Sequence, residues 1–284
     1  MLVGHKIQRE FLKKSFEISR VSHAYLFSGV DGLGKKAVAL EFIRMINNQG
    51  KDLSKSQPDL IMIEPQQGAI QISQIREMQK ALSLRPFSAP FKSAIIDEAE
   101  KMTAQAQNCL LKTLEEPKGQ AVLILISSKP EMLLETVRSR TQSLKFYPVS
   151  SEEMRAFLES KISSPGLEKL IFVSEGRPGK AIGFLQNPQR LRVWWQMFED
   201  IQNLVDSNLS SRFKYLNDFF KEKSPENLEE FLDIFLRYFR LVLLSKLGLT
   251  RGFNKSYSLE KIKEIIKQGE KIKFLISLPI LEKF

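Results

Sequence analysis

The chain has 284 residues, 43% hydrophobic and 27% charged, a balance that excludes disordered, collagen-like and fibrous proteins. Its 43 Lys and Arg against 33 Asp and Glu leave a formal charge of +10, which favours contact with a polyanion such as nucleic acid or phosphate without naming it. The single cysteine, Cys109, excludes an internal disulfide and a four-cysteine zinc site and points to a reducing, cytoplasmic setting.

The opening MLVGHKIQREFLKK has neither an apolar signal core nor a cleavage motif, and no apolar run reaches the roughly 18 residues of a membrane span, so no leader or anchor is expected. From residue 20 to about 148, short apolar runs alternate with helical periodicity, the pattern of a parallel sheet with crossover helices. The spacing predicts strands at Ala24–Phe27, Leu60–Ile63, Ser93–Ile96, Ala121–Ile126 and Ser143–Phe146. Helices are predicted at Lys36–Ile46, Ile72–Ser83, Ala104–Glu115 and Leu133–Arg140, bounded by the prolines at 58, 65, 86, 117 and 130. After Pro148 the strand signal ends. Ser150 followed by Glu153 marks a capped helix start, and a small helical domain is expected over 149–187, with Asn187-Pro188 as its boundary. From 188 to 284 the spacing of Val193, Trp194, Met197 and Ile201, of Phe231, Ile234, Phe235 and Phe239, and of Ile262, Ile265 and Ile266 is helical. The apolar stretch Phe235–Leu249, broken by Arg237, Arg240 and Lys246, reads as a partly buried amphipathic helix.

Charge is uneven: residues 1–148 carry 21 basic and 15 acidic side chains, 149–250 carry 14 of each, and 251–284 carry 8 and 4. In the last segment Lys261, Lys263, Lys267, Lys271 and Lys273 interleave with Glu260, Glu264 and Glu270, a pattern that fits a solvated helix face better than a DNA contact. The 20 Phe are expected to fill cores and interfaces.

Gly29-Val30-Asp31-Gly32-Leu33-Gly34-Lys35-Lys36 follows the phosphate-loop pattern G-x-x-x-x-G-K and departs from it at Lys36, where Ser or Thr is required. Glycines let successive N–H groups converge on phosphate, the following helix aims its positive end there, and the lysine reaches the outer phosphates. The absent hydroxyl would have bound Mg²⁺, which a protonated Lys36 cannot do. An apolar strand ahead of the loop and a helix behind it supply the context that the motif needs.

A second element, Ala94-Ile95-Ile96-Asp97-Glu98, is an apolar strand ending in two carboxylates, suited to holding a metal with Asp97 and polarising water with Glu98. Ser127 or Ser128, ending the next strand, is either a γ-phosphate sensor or a plain strand cap. Arg140, in Ser139-Arg140-Thr141, either complements a helix C-terminus or projects as an arginine finger into a neighbour's nucleotide.

Together, His23 to Gly29, Ile72 to Glu77, Ala94 to Glu100, Asn108-Cys109-Leu110-Leu111-Lys112-Thr113-Leu114-Glu115-Glu116-Pro117 and Val137 to Thr141 resemble the clamp-loader branch of the AAA+ ATPases, in particular its delta-prime family. The likeness is dense over residues 1–148 and thins through Gly176-Arg177-Pro178-Gly179-Lys180-Ala181. It implies a RecA-like AAA+ P-loop α/β domain with a parallel sheet over 1–148, a helical lid over 149–187 and an all-helical collar over 188–284 that joins five subunits in a ring. The partners it implies are gamma/tau and delta subunits, a sliding clamp and non-specific primer-template DNA, with no membrane. Arg140 matches the family's Ser-Arg-Cys arginine, with Thr141 in place of the cysteine.

The family's zinc cysteines are missing from Asn47–Asp59, so zinc is not expected. The lid arginine of ATP-hydrolysing members aligns with Gly179. A non-hydrolysing subunit is therefore expected, its pocket of Gly29, Gly32, Gly34, Lys35, Lys36, Asp97 and Glu98 holding ATP weakly if at all. The alternatives are an active gamma/tau-type ATPase or another DNA-associated P-loop ATPase.

Overall fold

The computed structural model describes residues 3–47, 59–87, 89–117, 119–162, 166–222 and 225–247. The chain divides into two compact units, Met1–Ile182 and Gly183–Phe284.

In the first unit the described residues form a five-stranded parallel sheet of β1 (Ala24–Ser28), β2 (Leu60–Ile63), β3 (Lys92–Ile96), β4 (Ala121–Ser127) and β5 (Gln142–Lys145). The strand order is β2-β3-β4-β1-β5, with Ile63 level with Ile96, Ile96 with Leu125, and Phe27 between Ile126 and Leu144. Each strand lies within a residue or so of its predicted span. Buried parallel strands are near-continuous apolar runs, and those runs are what the sequence displays.

Alternate residues feed two cores, as the period of two requires. Ala24, Leu26, Ala94, Ile96, Leu123 and Leu125 pack with α3 (Ile72–Leu82) and α4 (Ala104–Glu115). Tyr25, Phe27, Ile95, Val122, Ile124 and Ile126 pack with α1 (Lys6–Glu17) and α2 (Lys35–Ile46). Burying side chains such as Phe27 or Ile96, both 0% exposed, stabilises the fold by roughly 1.5–3 kcal/mol each. Thr103 caps α4 by accepting a hydrogen bond from the amide of Ala106 at 3.2 Å.

Helix α1 was not predicted. Leu12 is its one buried apolar side chain, while Ile7 and Phe11 are exposed. The predicted helix over Leu133–Arg140 is shorter, α5 (Glu135–Arg138), because a 3₁₀ turn at Pro130–Met132 precedes it. Beyond β5, Ser150 caps α6 (Ser151–Glu159), accepting from the amide of Glu153 at 3.2 Å, and α7 (Gly166–Ser174) and α8 (Pro178–Gln186) follow.

The second unit contains α9 (Pro188–Asp206), α10 (Leu209–Glu222) and α11 (Pro225–Lys246). Trp194 stacks on Phe198 with centroids 5.4 Å apart, and Phe219 meets Phe231 at 4.7 Å. The helical spacing holds, and along it Trp194, Met197, Ile201, Phe231 and Ile234 are buried, whereas Val193 and Phe235 are exposed. At 100° per residue, each neighbours a buried residue but sits past the edge of the packed stripe. The Ile262, Ile265 and Ile266 spacing and the lysines from 261 to 273 lie outside the described residues. No helix among the described residues is long and apolar enough to cross a membrane.

Candidate nucleotide site

The glycine loop leaves the carboxyl end of β1, and α2 begins at Lys35. In this strand order β1 lies between β4 and β5, so the loop occupies the place where the chain's winding reverses, the usual ligand crevice of an open parallel sheet. Gly29, Gly32 and Gly34 have φ of 143°, 80° and 90°, a region that side chains other than glycine rarely adopt. At Gly29 a Cβ would stand 2.5 Å from the carbonyl oxygen of Phe146, so the loop is threaded against the end of β5. Leu33, 1% exposed, pins it to the core below.

His5 completes the cradle. Its Nε2 donates to the Leu33 carbonyl at 2.8 Å, and its ring meets Phe146 edge-on with centroids 4.9 Å apart. Burial lowers its pKa, so the ring is held neutral. No motif singles out His5; the available signal is a Gly-His pair ahead of an amphipathic segment, where His5 takes up a left-handed φ of 57° as the N-cap of α1.

Lys35 is 5% exposed and turns into its own loop, donating to the carbonyls of Gly29 and, at 2.9 Å, of Val30, with Asp31 at 3.7 Å. Burial lowers its pKa against the pull of Asp31, Glu100 and Asp97. Lys36 reaches across the sheet edge instead. Its ammonium donates to Glu64, just past β2, and lies 3.2 Å from Asp97 Oδ2, just past β3. Burial opposes that charge, but the hydrogen bonds to Glu64 and Asp97 prevail and the pKa is raised.

The predicted cluster of Gly29, Gly32, Gly34, Lys35, Lys36 and Asp97 is therefore brought together, with Glu64 as a member that motif reading missed. Glu98 is turned aside: it adopts φ 49° and pairs with Lys101. Glu100 takes over the end of β4, accepting from the amide of Ser128 at 3.1 Å and from its hydroxyl. Burial works to raise the Glu100 pKa, but hydrogen bonds, led by the Ser128 hydroxyl, hold it below the ordinary value. Of the two candidate sensor serines, Ser127 is fully buried and bonds the Lys129 amide, and Ser128 is engaged by Glu100.

A P-loop ATPase fold implies Mg²⁺ at this edge, and the residues do not fit it. Mg²⁺ wants oxygen donors in an octahedron, whereas residue 36 contributes an ammonium that already holds Asp97. A divalent ion 4 Å from that ammonium meets a repulsion of about 8 kcal/mol at an effective dielectric of about 20. The 40% exposure of the Lys36 side chain reduces this repulsion without removing it. Gly179, at the start of α8, closes the other side, its amide donating to the Gly32 carbonyl at 2.7 Å. A Cβ at 179 would stand 3.0 Å from that oxygen and 3.2 Å from the Gly32 Cα, so an arginine at this position meets backbone.

Arg140 lies apart from the loop. Its guanidinium pairs with Glu115 at 2.8 Å and donates to the Thr136 carbonyl at 3.1 Å, with 39% of the side chain exposed. Glu115 belongs to the Leu-Leu-Lys-Thr-Leu-Glu-Glu-Pro stretch, whose Leu110 and Leu114 are core and whose Thr113 accepts from Gln79 at 2.8 Å.

A family model described as DNA polymerase III, delta subunit matches residues 4–150. DNA polymerase III subunit delta-prime of Bacillus subtilis strain 168 is 30% identical over 256 residues, covering 84% of this chain and 77% of the relative. This chain belongs to the delta-prime family. The family is a clamp-loader branch of DNA polymerase III, and the parallel sheet with a P-loop after β1 gives this delta-prime member the RecA-like AAA+ α/β fold, followed by helices. The tau subunit of the same organism is 27% identical over 302 residues, 92% of this chain but only 52% of the longer relative. Among solved structures, a gamma subunit-related protein from Thermotoga maritima covers 92% of the delta-prime member and 91% of its own chain at 20% identity, with a TM-score of 0.49.

Proposed function

We propose that this chain is the non-hydrolysing, stationary subunit of a clamp loader, and that Arg140 acts on nucleotide held by a neighbouring subunit. One observation carries the reading. The residue that should bring a metal-binding hydroxyl to Asp97 brings an ammonium instead, paired at 3.2 Å. Without a divalent metal to bridge the outer phosphates, the charge that builds in phosphoryl transfer is left under-neutralised, so hydrolysis stalls. Glu98, paired with Lys101, is likewise not aimed at Asp97's partner.

Arg140 has the opposite character. It stands on an exposed corner, on one carboxylate partner that a phosphate can outcompete as a bidentate acceptor. In the proposed assembly residues 1–148 are the P-loop domain, 149–187 the lid and 188–284 the collar, with gamma/tau and delta subunits as ring partners and the sliding clamp and primer-template DNA as what they act on, in the cytoplasm. DNA contact, where the excess positive charge of the first domain meets the backbone, is sequence-independent and weakened by salt.

The test is a loader reconstituted from purified subunits. The pure chain is expected to hydrolyse no ATP, and the loader carrying Arg140→Ala to lose most of its DNA-stimulated ATPase activity while still assembling. ATPase activity from the chain alone that disappears with Lys35→Ala would instead assign the gamma/tau-type role.

A further inference from the structure

We propose that Lys36 is a tethered cation standing where the fold's divalent metal would be, so that this pocket takes a nucleoside triphosphate without metal. This deepens the reading of the pocket given above and rests on it.

The geometry supplies the parts. Lys36 is the second residue of α2, directly behind the glycine loop, and its ammonium joins two carboxylates from the ends of adjacent strands, Glu64 after β2 and Asp97 after β3. An ammonium has three N–H donors; Glu64 and Asp97 take two, and the third remains for a phosphate oxygen. Two carboxylates so near a phosphate cradle need a cation between them and the incoming anion, and an ammonium fixed by the fold supplies one without recruiting an ion from solution. With one positive charge rather than two it neutralises Asp97 and Glu64 only in part, so affinity is modest. Lys35 supplies the second contact on leaving the carbonyls of Gly29 and Val30, acceptors that a phosphate oxygen replaces with a charged one. A metal brought in with the nucleotide would have to displace Lys36 from Asp97, so magnesium gives the wild-type chain no gain in affinity.

The experiment is a titration of the purified full chain with a fluorescent ATP analogue, in Mg²⁺ and in EDTA. The wild-type Kd is expected to agree between the two buffers within about twofold. In Lys36→Thr, which restores the metal-binding hydroxyl, the EDTA affinity falls and Mg²⁺ recovers it by about tenfold or more. In Lys36→Met, which keeps the stem and removes the charge, affinity falls in both buffers. Lys36 is partly exposed, and matched melting curves confirm that the variants fold. A wild-type Kd that tightens about tenfold with Mg²⁺, no wild-type binding in either buffer, or a Lys36→Thr variant indifferent to Mg²⁺ would each overturn the proposal. The Arg140 experiment reads the neighbouring subunit and this titration reads the chain's own pocket, so either can fail while the other stands.

Discussion

Two corners of the α/β unit carry the cations that matter, and they treat them in opposite ways. At the glycine loop both lysines are engaged within the fold, Lys35 by carbonyls of its own loop and Lys36 by carboxylates from two strand ends. At the end of α5, Arg140 leans on one exposed acid and one carbonyl. Lys36, bridging two carboxylates, keeps its charge committed to the fold and has one N–H to spare. Arg140, with a single carboxylate in a partly exposed pair worth roughly 0–1 kcal/mol, can give that partner up to something else.

The largest effect that bears on this contrast is the loss of Arg140. In a reconstituted loader, Arg140→Ala is expected to lower turnover at the partner's site by about a thousandfold or more, in the range of a lost arginine finger. The melting temperature of the chain itself should barely move; a large fall there with unchanged turnover would make Arg140 structural and erase the contrast.

Next in size is Gly179→Arg, which tests whether the loop corner is closed by packing. With backbone of Gly32 at 3.0 and 3.2 Å from the new Cβ, overpacking is expected to cost about 1–3 kcal/mol in denaturant unfolding. A variant as stable as wild type would mean that α8 and the loop part freely.

His5 gives a smaller, pH-dependent effect. Because its folded pKa is lowered, the unfolded chain binds the extra proton, and stability is whole above about pH 6.5 and falls as pH drops from there through the lowered value. His5→Asn keeps a residue tolerant of left-handed φ and removes the titration, so its melting temperature should decline less steeply over the same acid range. Parallel declines would show that His5 stays protonatable in the fold.

Least of all, Glu115→Gln should change unfolding free energy by under about 1 kcal/mol and leave partner ATPase intact. A marked loss of turnover there would mean that Glu115 aims Arg140, and the two corners would then be more alike than the geometry suggests.

Much of the sheet was legible because buried parallel strands announce themselves as apolar runs between Gly and Pro punctuation, and β1 to β5 obey that grammar. Helix α1 carries the helical spacing of Ile7, Phe11, Leu12 and Phe16, yet only Leu12 among them is fully buried, and it lies ahead of the strand-and-helix alternation that begins near residue 20. The loop and Asp97 were readable from local motifs, whereas the bond that defines the site was not. Lys36 meets Glu64 and Asp97 only because β2 lies beside β3, a fact of topology that no local window contains. The Arg140 and Glu115 pair hides for the same reason, its members 25 positions apart on separate elements. Val193 and Phe235 lie on helices as their spacing predicts, but a spacing counts apolar residues without telling which of them sits at the margin of a stripe.

The bond from the Gly179 amide to the Gly32 carbonyl runs from main chain to main chain. It therefore belongs to no side chain, and substitutions elsewhere in the loop or in α8 leave both its partners in place. Only a proline at 179, which has no N–H to donate, deletes it. A survey that passed over positions 32 and 179 would find the glycine loop and α8 energetically unconnected, while the main-chain bond that joins them stayed in place throughout.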